Sequence, residues 1–185
     1  MIFYTADLHL GHVNIIRICK RPFSSIEQMN ETLIENWNNV VIDDDTVYIL
    51  GDFAYRSAVS MKPVLKKLKG RKHLILGNHD IAWIKNIKTD EYFVSVSPMI
   101  EIMDGDMLIT LCHYPMLSWH KMARGALLIH GHIHNNMKSN HTFTILRNMN
   151  AYNAGVDVNE FAPVTLEQLK INKEKFYKEY EACNR

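Results

Sequence analysis

The stretch Ile75-Leu76-Gly77-Asn78-His79-Asp80 decides how this chain is interpreted. A short apolar run, His73 to Leu76, stops at a glycine, and three polar side chains that bind metals or carry protons follow at once. Open α/β sheets carry their sites at the carboxyl ends of the strands, so this pattern predicts reactive groups at a sheet edge. One such cluster is weak evidence, and other strands must supply partners for it.

The bulk properties predict one ordinary globular domain, spanning residues 1–185. Hydrophobic residues make up 47% of the chain and charged residues 22%. A formal net charge of +1 argues against a partner bound mainly by charge, such as bulk nucleic acid or an anionic membrane. Three widely spaced cysteines indicate free thiols in a reducing compartment. Without a signal peptide or a long apolar run, we expect a cytoplasmic protein.

Four other apolar segments of the chain end in the same way. The polar groups that follow the five segments are Asp7 and His9, Asp52, Asn78 and His79, His113, and His132 with His134. Residues two apart on an extended chain face the same side, so both members of Asp7-x-His9 and of His132-x-His134 can face one pocket. Taken singly, a histidine at a strand end is usually structural and an aspartate after glycine usually lies in a turn. Five segments in succession favour a common site.

The donor types in this set predict the class of metal. Imidazole, carboxylate and amide groups suit Mn²⁺, Fe²⁺, Zn²⁺ or Ni²⁺ better than Ca²⁺ or Mg²⁺. No cysteine shares the pattern, which disfavours a structural zinc site. The groups exceed the needs of one ion and fit two ions that share a carboxylate, for which Asp52 is the natural bridge.

The order of elements predicts two packed sheets with helices outside. The first half of the chain reads βαβαβα, with a helix over 26–41 that begins in a capping box of Ser24 and Glu27. The second half is mostly β, and the segments 142–146 and 153–158 are expected as closing strands. Thr165 and Gln168 predict the cap of a final helix.

The ordered motifs Asp7-x-His9, Gly51-Asp52, Gly77-Asn78-His79-Asp80, His113 and Gly131-His132-x-His134 resemble the calcineurin-like metallophosphoesterase superfamily. The resemblance implies an α/β fold, a four-layer αββα sandwich of two mixed β-sheets flanked by helices, with two divalent metal ions, Mn²⁺ foremost. It assigns the first metal to Asp7, His9 and His134, the second to Asn78, His113 and His132, and the bridge to Asp52. It further implies that His79 binds the phosphate and protonates the leaving oxygen, and that Asp80 orients the His79 imidazole.

Two departures from the superfamily pattern argue against a phosphoprotein phosphatase. Those enzymes carry an Asp-Arg-Gly motif shortly after the bridging aspartate. In this chain, Tyr55 stands where the aspartate of that motif would be. They also carry glutamate where this chain has Asp80. His12 and Arg56 are candidate substrate-binding residues, against the alternatives of an exposed loop histidine and a surface arginine.

The sequence therefore predicts a hydrolase that acts on small or nucleotide-like phosphomonoesters or phosphodiesters. A nuclease or a nucleotide-pyrophosphate hydrolase on the same site is the alternative, although the near-neutral charge speaks against tight nucleic-acid binding. A non-catalytic binding module of the same fold is a third hypothesis, disfavoured because every ligand is present. The sequence leaves the oligomeric state open.

Overall fold

The fold is seen in a computed structural model, which describes residues 1–55, 61–138 and 140–183. The first half of the chain forms a parallel sheet in which sequence order and spatial order coincide. Its strands are β1 (Ile2–Thr5), β2 (Thr46–Leu50), β3 (Arg71–Ile75) and β4 (Ser95–Ser97). Because all four strands run the same way, their carboxyl ends lie along one edge, as the sequence pattern requires.

In the ranges that the structure describes, four helices accompany this sheet. They are α1 (Val13–Ile18), α2 (Ile26–Val40), α3 (Lys62–Lys67) and α4 (Asp80–Ile84). The buried residues of α2 are Met29, Leu33 and Trp37, which are spaced four apart and form one apolar stripe. The helix begins at Ile26 as predicted, but its cap is Ser25 rather than Ser24, since Ser25 Oγ accepts a hydrogen bond from the Gln28 N–H at 3.1 Å.

A second sheet follows, made of β5 (Met99–Asp104), β6 (Met107–Cys112), β7 (Leu127–His130) and β8 (Ala151–Asn153). Strands β5 and β6 form an antiparallel hairpin, and the remaining pairs are parallel. Helices α5 (Asn140–Arg147) and α6 (Leu166–Cys183) complete the chain, with single helical turns at Thr89–Glu91, Met122–Arg124 and Val156–Val158.

The two sheets pack face to face, and strand alternation assigns each side chain to a layer. Tyr4 and Leu50 from the first sheet meet Leu111 and Ile129 from the second in the core between the sheets. The neighbouring residues point the other way, and the outer face of the first sheet packs against α2, α3 and α4. The outer face of the second sheet packs against α5. The predicted fold class, two sheets flanked by helices, is confirmed.

The predicted strand over 142–146 is wrong, because this segment lies in α5. Its β-branched residues favour a strand, yet the buried side chains Thr142, Ile145 and Leu146 recur at helical spacing. The segment 153–158 is strand only at its start and then forms a single helical turn.

Other local expectations hold. The cap of α6 is confirmed, since the Thr165 N–H donates to Gln168 Oε1 at 2.8 Å. Cys19 and Cys112 are free and buried. Among the helices of the described ranges, none has the length and apolar character needed to cross a membrane.

Candidate metal centre

The carboxyl edges of the two sheets bring the five strand-end motifs together. The loop after β1 lies alongside the loop after β2, because the Asp7 N–H donates to the Gly51 carbonyl at 3.0 Å and the His9 N–H donates to the Asp52 carbonyl at 2.9 Å. The loop after β7 joins them, since the His132 N–H donates to Asp7 Oδ2 at 2.8 Å. Residues from both sheets therefore surround one site.

Asp52 lies in the middle of this site. Its Oδ2 atom is 3.5 Å from His9 Nε2, 3.6 Å from His113 Nε2 and 3.9 Å from His79 Nε2. The carboxylate is buried. It belongs to one close group with Asp7 and His113, whose oxygen and nitrogen atoms lie within 4.8 Å of one another. Asp52 therefore lies close to histidines of three other strand-end motifs.

The other residues predicted for the two metal positions lie close to one another. Asp7, His9 and His134 form a second group whose ligand atoms lie within 4.8 Å of one another. His113 Nε2 is 3.1 Å from Asn78 Oδ1 and 3.2 Å from His132 Nδ1. All seven predicted metal ligands are thus brought together.

The chemistry of these donors fits divalent cations. Within the described part of the chain, Asp7 Oδ1 and both ring nitrogens of His9 are buried and have no hydrogen-bond partner, a rare condition for buried polar atoms. Ligand atoms that share an ion at about 2.0–2.2 Å lie roughly 3–4 Å apart, which matches the Asp52–imidazole separations. Burial lowers the pKa of His9 far below its ordinary value, which leaves a neutral imidazole with a free lone pair. Burial raises the pKa of Asp7 to about 6, against the lowering effect of His134 and His113.

Backbone conformation sets the positions of the ligands. Five of the seven have left-handed backbones, with φ of 57° at Asp7, 52° at His9, 52° at Asp52, 72° at His132 and 50° at His134. Such conformations cost about 1–3 kcal/mol each in a non-glycine residue and concentrate at functional sites. Short sharp turns are what direct successive side chains of one loop into a single pocket.

Close packing of the loops explains the glycine before His132. A Cβ atom at Gly131 would lie 2.8 Å from Asp7 Oδ2 and 2.6 Å from Ala6 Cβ. No ordinary side chain fits there, so glycine allows the loop after β7 to reach the loop after β1.

Hydrogen bonds to the second ring nitrogen orient two of the ligand histidines. His113 Nδ1 lies 2.8 Å from the Leu50 carbonyl oxygen, which accepts a hydrogen bond from Nδ1–H. The other ring nitrogen, Nε2, is then directed at Asp52. His134 Nδ1 lies 2.8 Å from Asp157 Oδ2. Burial is the largest single influence and lowers the pKa of His134, but the hydrogen bonds to Asp157 and Cys19 and the charges of Asp7 and Asp157 together raise it to about 11.

Sequence reasoning missed two residues of this site, Asp157 and Arg21. Asp157 lies in the helical turn after β8, and its carboxylate receives a bidentate hydrogen bond from the buried Arg21. The two residues are 136 positions apart, and neither stands in a strand-end motif. The only available signal was an aspartate within the apolar stretch Gly155 to Val158.

Asp80 occupies a different position from the one that the resemblance implies. Its carboxylate is fully buried and accepts four hydrogen bonds, at 2.8–3.0 Å, from the N–H groups of Asp52, Phe53 and Gly77 and from the Trp83 indole. These four donors use its acceptor capacity, and it makes no hydrogen bond to the His79 imidazole. The expectation that Asp80 orients His79 is therefore corrected: Asp80 holds the backbone on both sides of the bridging carboxylate.

His79 lies at the edge of the centre, where its side chain is 34% exposed. Its N–H donates to Asp52 Oδ1 at 2.9 Å, and its ring meets Tyr55 edge-to-face at 4.8 Å. The His12 ring stacks on Tyr55 with centroids 3.8 Å apart and lies 5.4 Å from the ring of His9. Both histidines thus border the metal ligands. Arg56 lies outside the described residues.

Comparison with known proteins identifies the family. The sequence model of the calcineurin-like phosphoesterases matches residues 1–148. The chain belongs to the calcineurin-like phosphoesterase family. The predicted resemblance is confirmed, and the match covers all seven metal ligands inferred for this calcineurin-like phosphoesterase.

Relatives of this chain span most of its length. An uncharacterized protein of Methanocaldococcus jannaschii is 36% identical over 168 residues, which cover 90% of this chain and 87% of that protein. The gene 66 protein of Mycobacterium phage L5 is 32% identical over 162 residues, 73% of this chain and 78% of that one. The crystal structure of a protein of unknown function from Aquifex aeolicus superimposes with a TM-score of 0.73 at 26% identity, covering 92% of this chain and 98% of the other.

A cleft of about 1500 Å³ opens beside the centre of this calcineurin-like phosphoesterase. His132 and His134 lie in its wall, and it extends along the outer side of the second sheet towards α6. Three large apolar side chains at the cleft are exposed: Ile18 by 63%, Tyr114 by 45% and Leu117 by 76%. Two of the predicted ligands, His132 and His134, thus line a cleft with partly apolar walls.

Proposed function

We propose that this protein is a metal-dependent phosphoesterase that hydrolyses small or nucleotide-like phosphomonoesters or phosphodiesters. The observation that carries the proposal is the convergence of three imidazole nitrogens within 3.9 Å of one buried carboxylate oxygen, in a member of a phosphoesterase family. The unpartnered Asp7 and His9 atoms beside it support a role in binding cations rather than in structural hydrogen bonding.

Two divalent metal ions are the cofactors of this proposal, with Mn²⁺ foremost and Fe²⁺, Zn²⁺ or Ni²⁺ as alternatives. Asp7, His9 and His134 would hold the first ion, and Asn78, His113 and His132 the second, with Asp52 between them. When bound, such a pair polarises the phosphoryl group and supplies a hydroxide nucleophile near neutral pH.

His79 is the proposed acid. Its partly exposed ring beside Asp52 can meet a phosphate ester that enters from solvent, and a protonated imidazole there gives its proton to the leaving oxygen. Such general acid catalysis is worth about 10²–10⁴-fold in rate. The backbone N–H of His79 donates to Asp52 Oδ1 at 2.9 Å, which holds this residue beside the proposed bridging carboxylate.

The cleft supports a substrate larger than a simple monoester. Its volume of about 1500 Å³ exceeds the roughly 300–1,000 Å³ typical of small-molecule sites. Its charges are mixed: Lys175 forms an ion pair with Glu160 at 3.0 Å, and Lys20 faces the same space as Glu179. A groove for nucleic acid would present a basic surface, so these charges favour a compact ester over a polynucleotide.

Hydrolysis of p-nitrophenyl phosphate and bis-p-nitrophenyl phosphate with Mn²⁺ tests the proposal. We expect turnover by the wild-type protein and its loss in Asp52→Asn, since an amide cannot supply the bridging negative charge. Asp106→Asn, the same change at an exposed turn of the β5–β6 hairpin, is the control and should retain activity. Absence of activity on both esters, or an active Asp52→Asn protein, contradicts the proposal. Salt-titrated binding to DNA and RNA tests the nuclease alternative.

A further inference from the structure

One buried arginine connects the two loops that carry the first metal position. The Arg21 side chain is fully buried, and its guanidinium makes a bidentate contact with Asp157 at 2.7 Å from Nε and 3.0 Å from Nη2. The same group donates to the Asp7 carbonyl at 2.7 Å and to the Leu8 carbonyl at 2.9 Å. Arg21 thus holds the backbone of the Asp7-x-His9 loop directly.

Asp157 continues the connection to the other sheet. Its Oδ2 atom, which already accepts from Arg21, lies 2.8 Å from His134 Nδ1. The carboxylate is almost completely buried, with 1% of its surface exposed. A single chain of hydrogen bonds therefore runs from the backbone of Asp7 through Arg21 and Asp157 to the imidazole of His134.

We propose that Arg21 and Asp157 are positioning residues for the first metal position, which rests on the proposed function. Asp157 keeps the proton of His134 on Nδ1, so that Nε2 is the ligand atom. Arg21 holds the Asp157 carboxylate through two hydrogen bonds and fixes its distance from the Asp7 backbone. The pair thereby aligns ligands that come from two different sheets.

The form of the interaction argues for positioning rather than for stability alone. A buried ion pair is weak evidence for stability, because apolar residues of similar volume often serve as well. Apolar residues could not hold the His134 imidazole in one tautomer. They also could not donate hydrogen bonds to the Asp7-x-His9 loop or accept one from His134. His113 Nδ1 is also hydrogen-bonded, but its partner is the neutral Leu50 carbonyl. His134 has a carboxylate partner, which raises the basicity of the imidazole as a ligand.

A double-mutant cycle on Mn²⁺ binding tests the inference. The proteins are wild type, Asp157→Asn, His134→Ala and the double variant, with binding followed by calorimetry. If Asp157 acts through His134, Asp157→Asn weakens one Mn²⁺ site by about 10–100-fold, the loss typical of a residue that supports a ligand. The double variant should then bind no more weakly than His134→Ala alone. Additive losses overturn the inference, since contacting residues that act as a unit do not add.

Tyr4→Phe is the matched control for the cycle. It also removes a partly buried hydrogen bond between distant residues, from the Tyr4 hydroxyl to Asp104 at 2.9 Å, but on the core side of β1. We expect its Mn²⁺ affinity to equal that of wild type. A loss equal to that of Asp157→Asn would show that any buried polar deletion weakens the metals, and the inference would be wrong.

A second measurement needs no variant and so does not depend on folding of Asp157→Asn. In the Zn²⁺-loaded wild-type protein, ¹⁵N NMR of the histidine rings should show His134 with a protonated Nδ1 and a metal-bound Nε2. A metal-bound Nδ1 overturns the inference. A wild-type protein that binds neither Mn²⁺ nor Zn²⁺ contradicts the proposed function itself, whereas additive losses in a metal-binding protein contradict only the positioning role.

Discussion

Replacement of Asp80 by asparagine should destabilise the metal-free protein. Oδ1 of this carboxylate accepts from the Phe53 N–H and the Trp83 indole, and Oδ2 accepts from the Asp52 and Gly77 N–H groups. An amide places an NH₂ group at one of the two positions, where it faces two donors. Two hydrogen bonds to a charged group are lost whichever way the amide turns.

The magnitude follows from the number of bonds. Hydrogen bonds to charged groups contribute about 1.5–3 kcal/mol each, so the loss of two costs roughly 3–6 kcal/mol. In a domain of this size each kcal/mol shifts the melting temperature by about 2–4 °C, which gives a fall of roughly 6–24 °C. Burial raises the pKa of Asp80, and the N–H of Gly77 and the indole of Trp83 oppose that shift, so an amide relieves part of the burial cost. The measured loss should therefore lie at the lower end.

Thermal unfolding of the protein in EDTA, followed by circular dichroism, measures this loss without a contribution from metal. Asp90→Asn is the control, since it makes the same change at an exposed position in the turn Thr89–Glu91 and should alter stability by less than about 0.5 kcal/mol. If Asp80 acted only by orienting the His79 imidazole, Asp80→Asn would lower turnover and leave metal-free stability unchanged. That result would refute the role derived from the four hydrogen bonds.

Three further predictions concern the acid, a helix cap and pH. His79→Ala should keep both metal ions and lose about 10²–10⁴-fold in turnover, whereas Asn78→Ala should weaken metal binding. Elemental analysis measures the bound metal, and an equal loss of metal in both variants would contradict this division of roles between His79 and Asn78. Ser25→Ala should cost about 1 kcal/mol in urea unfolding, and a larger loss for Ser24→Ala would contradict the observed cap. Burial and a hydrogen bond to Asp104 raise the pKa of Tyr4, so folded protein keeps this proton as pH rises above the ordinary value of 10.0 while unfolded protein loses it. Stability should therefore fall with pH by about 1.4 kcal/mol per unit in that range, and Tyr4→Phe should reduce the slope in urea unfolding at pH 9–11.

The convergence of the candidate ligands could be predicted from the sequence because each follows the end of an apolar strand. Strand ends are local features, and parallel strands bring their carboxyl ends to one edge whatever the details of packing. Locating the strands in the sequence is therefore enough to predict that Asn78 and His113 lie at that edge. The segment 142–146 shows the limit of this reasoning, since its β-branched residues favoured a strand and tertiary burial of Ile145 and Leu146 selected a helix.

The residues that support the ligands could not be predicted in this way. Three of the four partners of Asp80 are backbone N–H groups, which every residue except proline carries and which leave no trace in sequence. Asp157 and Arg21 depend on a contact across 136 positions between a loop and a helical turn. Motifs identify the groups that face the site, whereas the groups behind them depend on how the loops pack.

The left-handed ligand residues have a consequence for protein engineering. Aspartate and histidine are among the few non-glycine residues enriched at positive φ, so β-branched replacements at Asp7, His9 or His132 would fail on backbone grounds before ligand chemistry mattered. Glycine at the same positions would relieve strain of about 1–3 kcal/mol each and could yield a more heat-resistant but inactive protein. A selection for thermal stability alone would therefore tend to erase this site, and activity must be selected at the same time.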